Sequence, residues 1–307
     1  MTNTNRDPLV SIGFPVYNGE RYMARALESL LVQELPDFEV IVCDNASDDA
    51  TAEIAAAFAA RDRRVRVTRN PRNLGLARNF NRTLELATGR YFAWAAHDDW
   101  HSPQWLAACV EVLEHDQAAV VCGSAVAIVD VDDAVLEEWH PAMDLTAPEP
   151  HVRLHRMMWY TGETHPLYAL MRTDALRRTR QMRGFVGSDR VVLAELALQG
   201  TMPMVDEIFH FYRAPRYRPR SRGPVPTGPR PSLVYDPANR GRLPLRTWRL
   251  CWEHLRLVAG AELAPSHKLW LSGDVLARFG VRDSRRMAAE LYHSSRILYA
   301  RAVSRTT

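Results

Sequence analysis

Residues 89–100 read Gly-Arg-Tyr-Phe-Ala-Trp-Ala-Ala-His-Asp-Asp-Trp, an apolar run that ends abruptly in two adjacent carboxylates, Asp98 and Asp99. Tyr91–Ala96 predicts a buried strand, and the acids fall where that strand leaves its sheet. An isolated Asp-Asp in a loop is ordinarily just solvated. At a strand end the pair can offer hard oxygen ligands to Mg²⁺ or Mn²⁺ and leave positions open for phosphate oxygens.

The surrounding pattern supports a sheet. Leu9–Phe14 is a short apolar run stopped by Pro15, and Phe38–Cys43 is a second, cut off by the polar cluster Asp44–Asp49. A shorter strand is predicted at Val65–Thr68. Helical spacing marks Glu20–Gln33 and Ala50–Ala60, and a third helix carries Leu76, Phe80, Leu84 and Ala87. Alternating strands and helices with apolar strands imply a mostly parallel α/β sheet covered on both faces, with its functional groups at the carboxyl ends of the strands. Pro15–Asn18, Asp44–Asp49 and His97–Asp99 are the three polar clusters at such ends. Further on, strands are predicted at Ala118–Val129, Leu167–Met171 and Met204–Tyr212, with helices at His151–Tyr160 and Ser188–Gln199.

Composition narrows the function. The 307 residues are 47% hydrophobic and 24% charged, as in a globular domain rather than a disordered or fibrous chain. Lys268 is the only lysine, so no P-loop lysine exists, and no G-x-G-x-x-G follows the first strand. Cys43, Cys109, Cys122 and Cys251 are scattered, without zinc or disulfide spacing. No signal-peptide pattern or bilayer-length apolar run is present, which predicts a cytoplasmic protein and leaves peripheral contact at the inner membrane face open. Residues 1–212 carry 20 basic and 30 acidic groups, a balance of −10; residues 213–307 carry 19 and 6, a balance of +13. Residues 213–231 hold six Arg and six Pro without hydrophobic periodicity, and helical spacing returns at Leu245, Trp248, Trp252, Leu255 and Ala259. The expected organisation is a catalytic domain at 1–212, an Arg/Pro-rich segment at 213–244 that serves as an active-site flap, and a helical appendage at 245–307.

Several motifs in order resemble family 2 glycosyltransferases of the GT-A (nucleotide-diphospho-sugar transferase) fold, a Rossmann-like architecture. They are Pro15-Val16-Tyr17-Asn18, the run Asp44 to Thr51 with Ser47 and Asp49, Asn73-Leu74-Gly75, Gly89-Arg90-Tyr91-Phe92, His97-Asp98-Asp99 and Gly187-Ser188-Asp189-Arg190. Asn45 and Ala46 depart from the family's Asp-Gly at those positions. The resemblance implies an inverting transferase that moves a sugar from a UDP- or dTDP-sugar to an acceptor hydroxyl, assisted by Mg²⁺ or Mn²⁺. It implies that Pro15, Tyr17 and Asp44 frame the nucleoside, that Asp98 lies near the ribose or metal, that Asp99 ligates the metal, and that Asp189 is the catalytic base. An acid just after Gly187 and Ser188 also suits a helix N-terminus. Arg72 and Arg78 flank the Asn73 turn and are candidates for the base or diphosphate. Family members often carry a His near the Arg of a Tyr-Arg pair that completes the metal site; here Tyr212-Arg213 is followed by Ala214-Pro215-Arg216, with Arg in that place, and Arg213 and Arg216 are candidates for the diphosphate. His210 is a weaker candidate ligand. His165, Tyr168 and Arg172 are expected to face the acceptor, and Trp100 to stack on a sugar face.

The acceptor class stays open among saccharide, lipid-linked sugar and small natural product. A sugar nucleotidyltransferase is the alternative enzyme, although the Gly-rich loop and early lysine it wants are missing. A non-enzymatic module that binds anionic membrane or nucleic acid through the basic tail is the alternative of another class. The Arg-for-Lys bias alone implies no nucleic-acid partner.

Overall fold

In a computed structural model, described over residues 7–140, 145–159, 165–214, 231–240, 242–243 and 245–303, the first apolar run forms the central strand β1 (Val10–Val16), buried along its whole length. It pairs in parallel with β2 (Phe38–Asp44) on one side and β4 (Tyr91–Trp94) on the other, and β3 (Val65–Arg69) pairs in parallel beyond β2. The register sets Val16 opposite Asp44, so both loops leave the same sheet edge side by side. The crossovers run through α1 (Met23–Leu31), α2 (Thr51–Arg61) and α3 (Leu76–Leu86). In α1 the buried residues are Met23, Ala26, Leu27 and Leu30, one stripe of a 3.6-residue helix.

The second half adds β5 (Trp100–His101), α4 (Trp105–His115), β6 (Val121–Val129), β7 (Val135–Trp139), α5 (Pro150–Trp159), β8 (Leu170–Arg172), α6 (Thr173–Arg177), α7 (Ser188–Gln199) and β9 (Met204–Arg213). The nine-stranded sheet has the order β3-β2-β1-β4-β8-β6-β9-β5, with β7 paired to β6. β9 runs parallel to β6, whereas β8 is antiparallel to both β4 and β6.

The strand expected to run through Ala96 ends at Trp94. The two-residue strand β5 directly after the Asp pair was not predicted; it is held antiparallel to β9. The strand expected at Leu167–Met171 is a 3-10 turn at His165–Tyr168, closed by the Ala169 N–H donating to the Pro166 carbonyl at 3.2 Å, followed by β8. The β6–β7 hairpin, which was not predicted, turns through Asp133 at φ 69°.

After β9 come α8 (Pro231–Tyr235), α9 (Arg246–Gly260), α10 (Pro265–Ala277), a π-helical turn at Arg278–Arg282 and α11 (Ser284–Val303). One face of the sheet buries α1, α2 and α4 around Phe14, Leu27, Phe58 and Leu106. The other buries α3, α5 and α7 around Phe80, Trp94, Met157 and Leu196. Val258, Leu271, Val275, Phe279 and Met287 extend that second core into the C-terminal helices. All four cysteines are buried and unbridged, and burial pushes the Cys43 thiol up to about 12, an inert core residue.

Candidate active site

The first two polar clusters are sewn together by side-chain oxygens that meet backbone N–H groups. Asn18 N–H donates to Ser47 Oγ at 2.9 Å, and Gly19 N–H to Thr51 Oγ1 at 2.8 Å. In return Asp48 N–H donates to Asn18 Oδ1 at 3.1 Å. Asp44, 1% exposed, accepts from Ser47 N–H at 3.0 Å and from Ser47 Oγ–H at 2.6 Å through the same oxygen. Its other oxygen lies 3.2 Å from Arg69 Nη1. Ser47, Asp49 and Thr51 therefore shape the cradle, and Asp44 sits at its floor. Asn45 does distinct work: its amide donates to Asn73 Oδ1 at 3.0 Å, and its carbonyl accepts from Leu74 N–H at 2.9 Å and Asn70 Nδ2 at 3.0 Å. Holding the 70–75 turn needs both a donor and an acceptor, which an ionised Asp cannot supply.

Asp99 is 2% exposed. His210 Nε2 lies 2.9 Å from its Oδ2, and the Arg213 backbone N–H donates to its Oδ1 at 2.9 Å. His210 stacks on His101, which stacks on Trp105, with centroids at 4.8 and 3.9 Å. Burial, and then the neighbouring His210, hold the His101 imidazole well below its ordinary value, so it stays neutral. Asp98 is half-buried; burial, and then the charge of Asp99, raise its carboxyl above its ordinary value. Among the described residues no group of three or more His, Cys, Asp or Glu side chains is gathered to hold a metal ion.

Arg213 corrects an expectation. It is the last residue of β9, 3% exposed, rather than part of a flap. Its guanidinium donates to the Asp98 carbonyl at 3.0 Å and the Asp130 carbonyl at 2.8 Å, and it pairs with Asp133. It also covers the Tyr22 ring. With its N–H groups aimed at protein oxygens, Arg213 buttresses the Asp98–Asp99 loop instead of reaching for a diphosphate. Trp100 is corrected too: Phe211 stacks on its ring at 5.0 Å, and the Arg25 guanidinium lies over it at 3.9 Å, which leaves no face for a sugar. Arg172 points away from this edge and caps carbonyls of Leu113, Asp116 and Ala119.

Asp189 occupies the first turn of α7, behind Gly187 in the left-handed region at φ 95°. Its Oδ1 is buried without a hydrogen-bond partner. Tyr235, on α8, is its neighbour: burial, and then the Asp189 charge, push the Tyr235 phenol well up, while the Gly187 N–H approaches the hydroxyl. Tyr168 links the two ends of the site. Burial, then Asp99 and Asp98, and then Tyr212 and Tyr235, push its phenol well above the ordinary value, and its ring stands edge-on to His210 at 5.6 Å. Asp99, His210 and Tyr168 are thus in contact, and the charges of Asp98 and Asp99 reach Tyr168 as that of Asp189 reaches Tyr235.

Pro15 is buried at the end of β1, and Tyr17 projects beside it, 44% exposed. Arg72 and Arg78 are exposed around the Asn73 turn and the first turn of α3. Arg216 and the other residues of the expected flap at 215–230 lie outside the described residues, as does the His165 side chain; residues 231–240 of that segment form α8 and the turn after it. Sequence reasoning missed Tyr235 and His101. His101 carried a usable signal, two residues after Asp99. Tyr235 follows an Arg/Pro-rich stretch, and nothing in its spacing ties it to Asp189.

Residues 11–180 match the profile described as "Glycosyl transferase family 2", more than half of the chain. The uncharacterized glycosyltransferase EpsJ of Bacillus subtilis (strain 168) is 33% identical over 159 residues, 50% of this chain and 46% of that protein. The chain spans about half the length of the curated relatives it matches. Among solved structures, residues 1–349 of S. aureus TarS align with a TM-score of 0.64 at 18% identity, covering 88% of this chain and 71% of that one; TarS has also been solved with UDP and with UDP-GlcNAc. The mannosyltransferase PcManGT of Pyrobaculum calidifontis, solved with GDP-Man and Mn²⁺, aligns with a TM-score of 0.50 at 18% identity over 95% of this chain and 87% of that one. These likenesses show the GT-A fold, and with the profile match they establish that the chain belongs to glycosyl transferase family 2.

Proposed function

We propose that this glycosyltransferase moves a sugar from a UDP- or dTDP-sugar to an acceptor hydroxyl with inversion, and that Asp189 is the base. The observation that carries the reading is the Asp189 carboxylate in the first turn of α7, with one buried oxygen lacking a partner. A carboxylate too weak to ionise an alcohol in advance accepts the proton as the oxygen attacks. The acceptor oxygen forms its bond to the anomeric carbon while the bond to the diphosphate breaks, and the nucleoside diphosphate leaves. Attack from the face opposite the leaving group inverts the centre.

Pro15, Tyr17 and Asp44 border the nucleoside cradle, as in the family pattern. The relatives solved with UDP-GlcNAc and with GDP-Man support a nucleotide-sugar donor. Asp98 and Asp99 fit a divalent cation: they are adjacent hard oxygen donors, and the like charge that crowds Asp98 is what a cation relieves. Bound there, Mg²⁺ or Mn²⁺ would supply charge neutralisation to the departing diphosphate. His210 and the Arg213 backbone orient Asp99 from behind.

Asp189→Asn tests the assignment. Transfer should fall by about 10²–10⁴-fold while donor binding by calorimetry is retained. Turnover within a few-fold of the parent removes Asp189 from the role.

A further inference from the structure

The outer surface of the C-terminal helices differs from the rest of the molecule. Trp252 is 64% exposed, Tyr292 67% and Tyr299 73%, and Leu291 and Leu298 stand half in solvent. In α11, Met287 and Ser294 face the body. Leu291 and Leu298, and likewise Tyr292 and Tyr299, repeat at seven residues and share one face within about 140° of Met287. The exposed Arg285 and Arg296 follow on the tyrosine edge of that face. The surface continues onto α9, where Trp248 Nε1 donates to the Met287 carbonyl at 3.0 Å and Trp252 lies one turn further along.

The charge of this region is arranged one-sidedly. Residues 245–307 carry 11 basic and 5 acidic groups, a balance of +6. The acids mostly face inward. Glu253 is 4% exposed and takes Arg180 at 2.8 Å and Arg183 at 2.7 Å. Asp274 accepts from Trp159 at 2.6 Å and lies 2.8 Å from His155 Nδ1, and Glu290 accepts from Thr247. The outward face is left with arginines around tryptophan, tyrosine and leucine.

We propose that this face of α9 and α11 docks in plane on an anionic lipid surface. Aromatic side chains with polar tips suit the headgroup boundary, leucines reach the acyl region, and arginines meet anionic headgroups. A second copy of the chain would bring like charges together, whereas anionic lipid complements them. Among the described residues no helix is long and apolar enough to cross a membrane, so α11 lies along the surface rather than through it.

Co-sedimentation of the full chain with vesicles decides the matter. The chain should partition onto phosphatidylcholine vesicles that contain phosphatidylglycerol, bind pure phosphatidylcholine far less, and be released by salt. Arg285→Glu with Arg296→Glu should weaken binding about tenfold or more. Trp252→Ser with Tyr299→Ser should weaken it comparably, and neither pair should alter thermal unfolding, since all four side chains are exposed. Absence of partitioning at low salt overturns the proposal, as does equal binding to pure phosphatidylcholine. Anionic binding that ignores all four substitutions places the contact elsewhere and overturns this surface. A concentration-dependent dimer abolished by Trp252→Ser with Tyr299→Ser, without vesicle binding, assigns the face to a second copy instead.

Discussion

Ala46 holds φ at 63°, a left-handed conformation that a Cβ makes costly, at a place where the family pattern has Gly. Ala46→Gly should raise stability by about 1 kcal/mol, read as the shift in denaturant midpoint; an unchanged or lower midpoint refutes the strain. Tyr235 offers a finer test of the proposed site. Its phenol feels the charge of Asp189, the proposed base, so Tyr235→Phe should lower kcat about tenfold with donor KM nearly unchanged and stability within about 1 kcal/mol. Loss of folding, or a change confined to KM, would make it a packing residue. At this scale the sequence was informative where chemistry and position coincide. The place of Asp98 and Asp99 is legible because an apolar run leads up to them, and that of Asp189 because Gly187 and Ser188 announce a helix start. Arg213 was legible in place but not in role: nothing in Tyr-Arg-Ala-Pro shows that carbonyls of Asp98 and Asp130 will take its N–H groups. Trp100 fails similarly, because its partners Arg25 and Phe211 lie far off in the chain.

Among the elements, the short stretch from α8 to Asn239 has the greatest leverage. It passes through a slot made by two glycines: a Cβ at Gly75 would meet the Tyr235 carbonyl at 2.7 Å, and one at Gly184 would meet Asp236 Cβ at 2.8 Å. Asn239 Nδ2 ties it to the Gly184 carbonyl at 2.7 Å. The Asn73–Gly75 turn and the loop leading to Asp189 are thus joined by one strap that delivers Tyr235. The parallel strands β1, β2, β3 and β4 were legible from their apolar runs. The strap was not, because tertiary contacts rather than periodicity place it. α9 carries a pH dependence of its own. Burial, with Arg278, Arg190 and Arg180 nearby, lowers the His254 imidazole from 6.5 to about 4, while its Nδ1 donates to the Leu250 carbonyl at 2.8 Å. A depressed folded-state value means that the proton favours the unfolded chain, so this contribution is whole above pH 6.5 and is lost as pH falls toward 4. The loss amounts to at most about 3 kcal/mol. His254→Gln should flatten the fall in thermal stability across that window; an unchanged slope contradicts the assignment.

For the whole molecule, the two charge halves take on separate meanings. The acidic part contains the carboxylates at the strand ends, and Arg213, counted with the basic tail, belongs to the site as its buttress. The C-terminal helices share the core formed by α3, α5 and α7, so the basic tail is anchored to the body through Val258, Val275 and Phe279. The most direct test of the central claim, a nucleotide-sugar site built on Asp99, is thermal unfolding of the parent and Asp99→Ala chains with UDP, dTDP and GDP, each with and without Mn²⁺. UDP or dTDP with Mn²⁺ should raise the parent's Tm, and Asp99→Ala should abolish that rise. No stabilisation of the parent by any nucleotide, or an equal rise in Asp99→Ala, would contradict it.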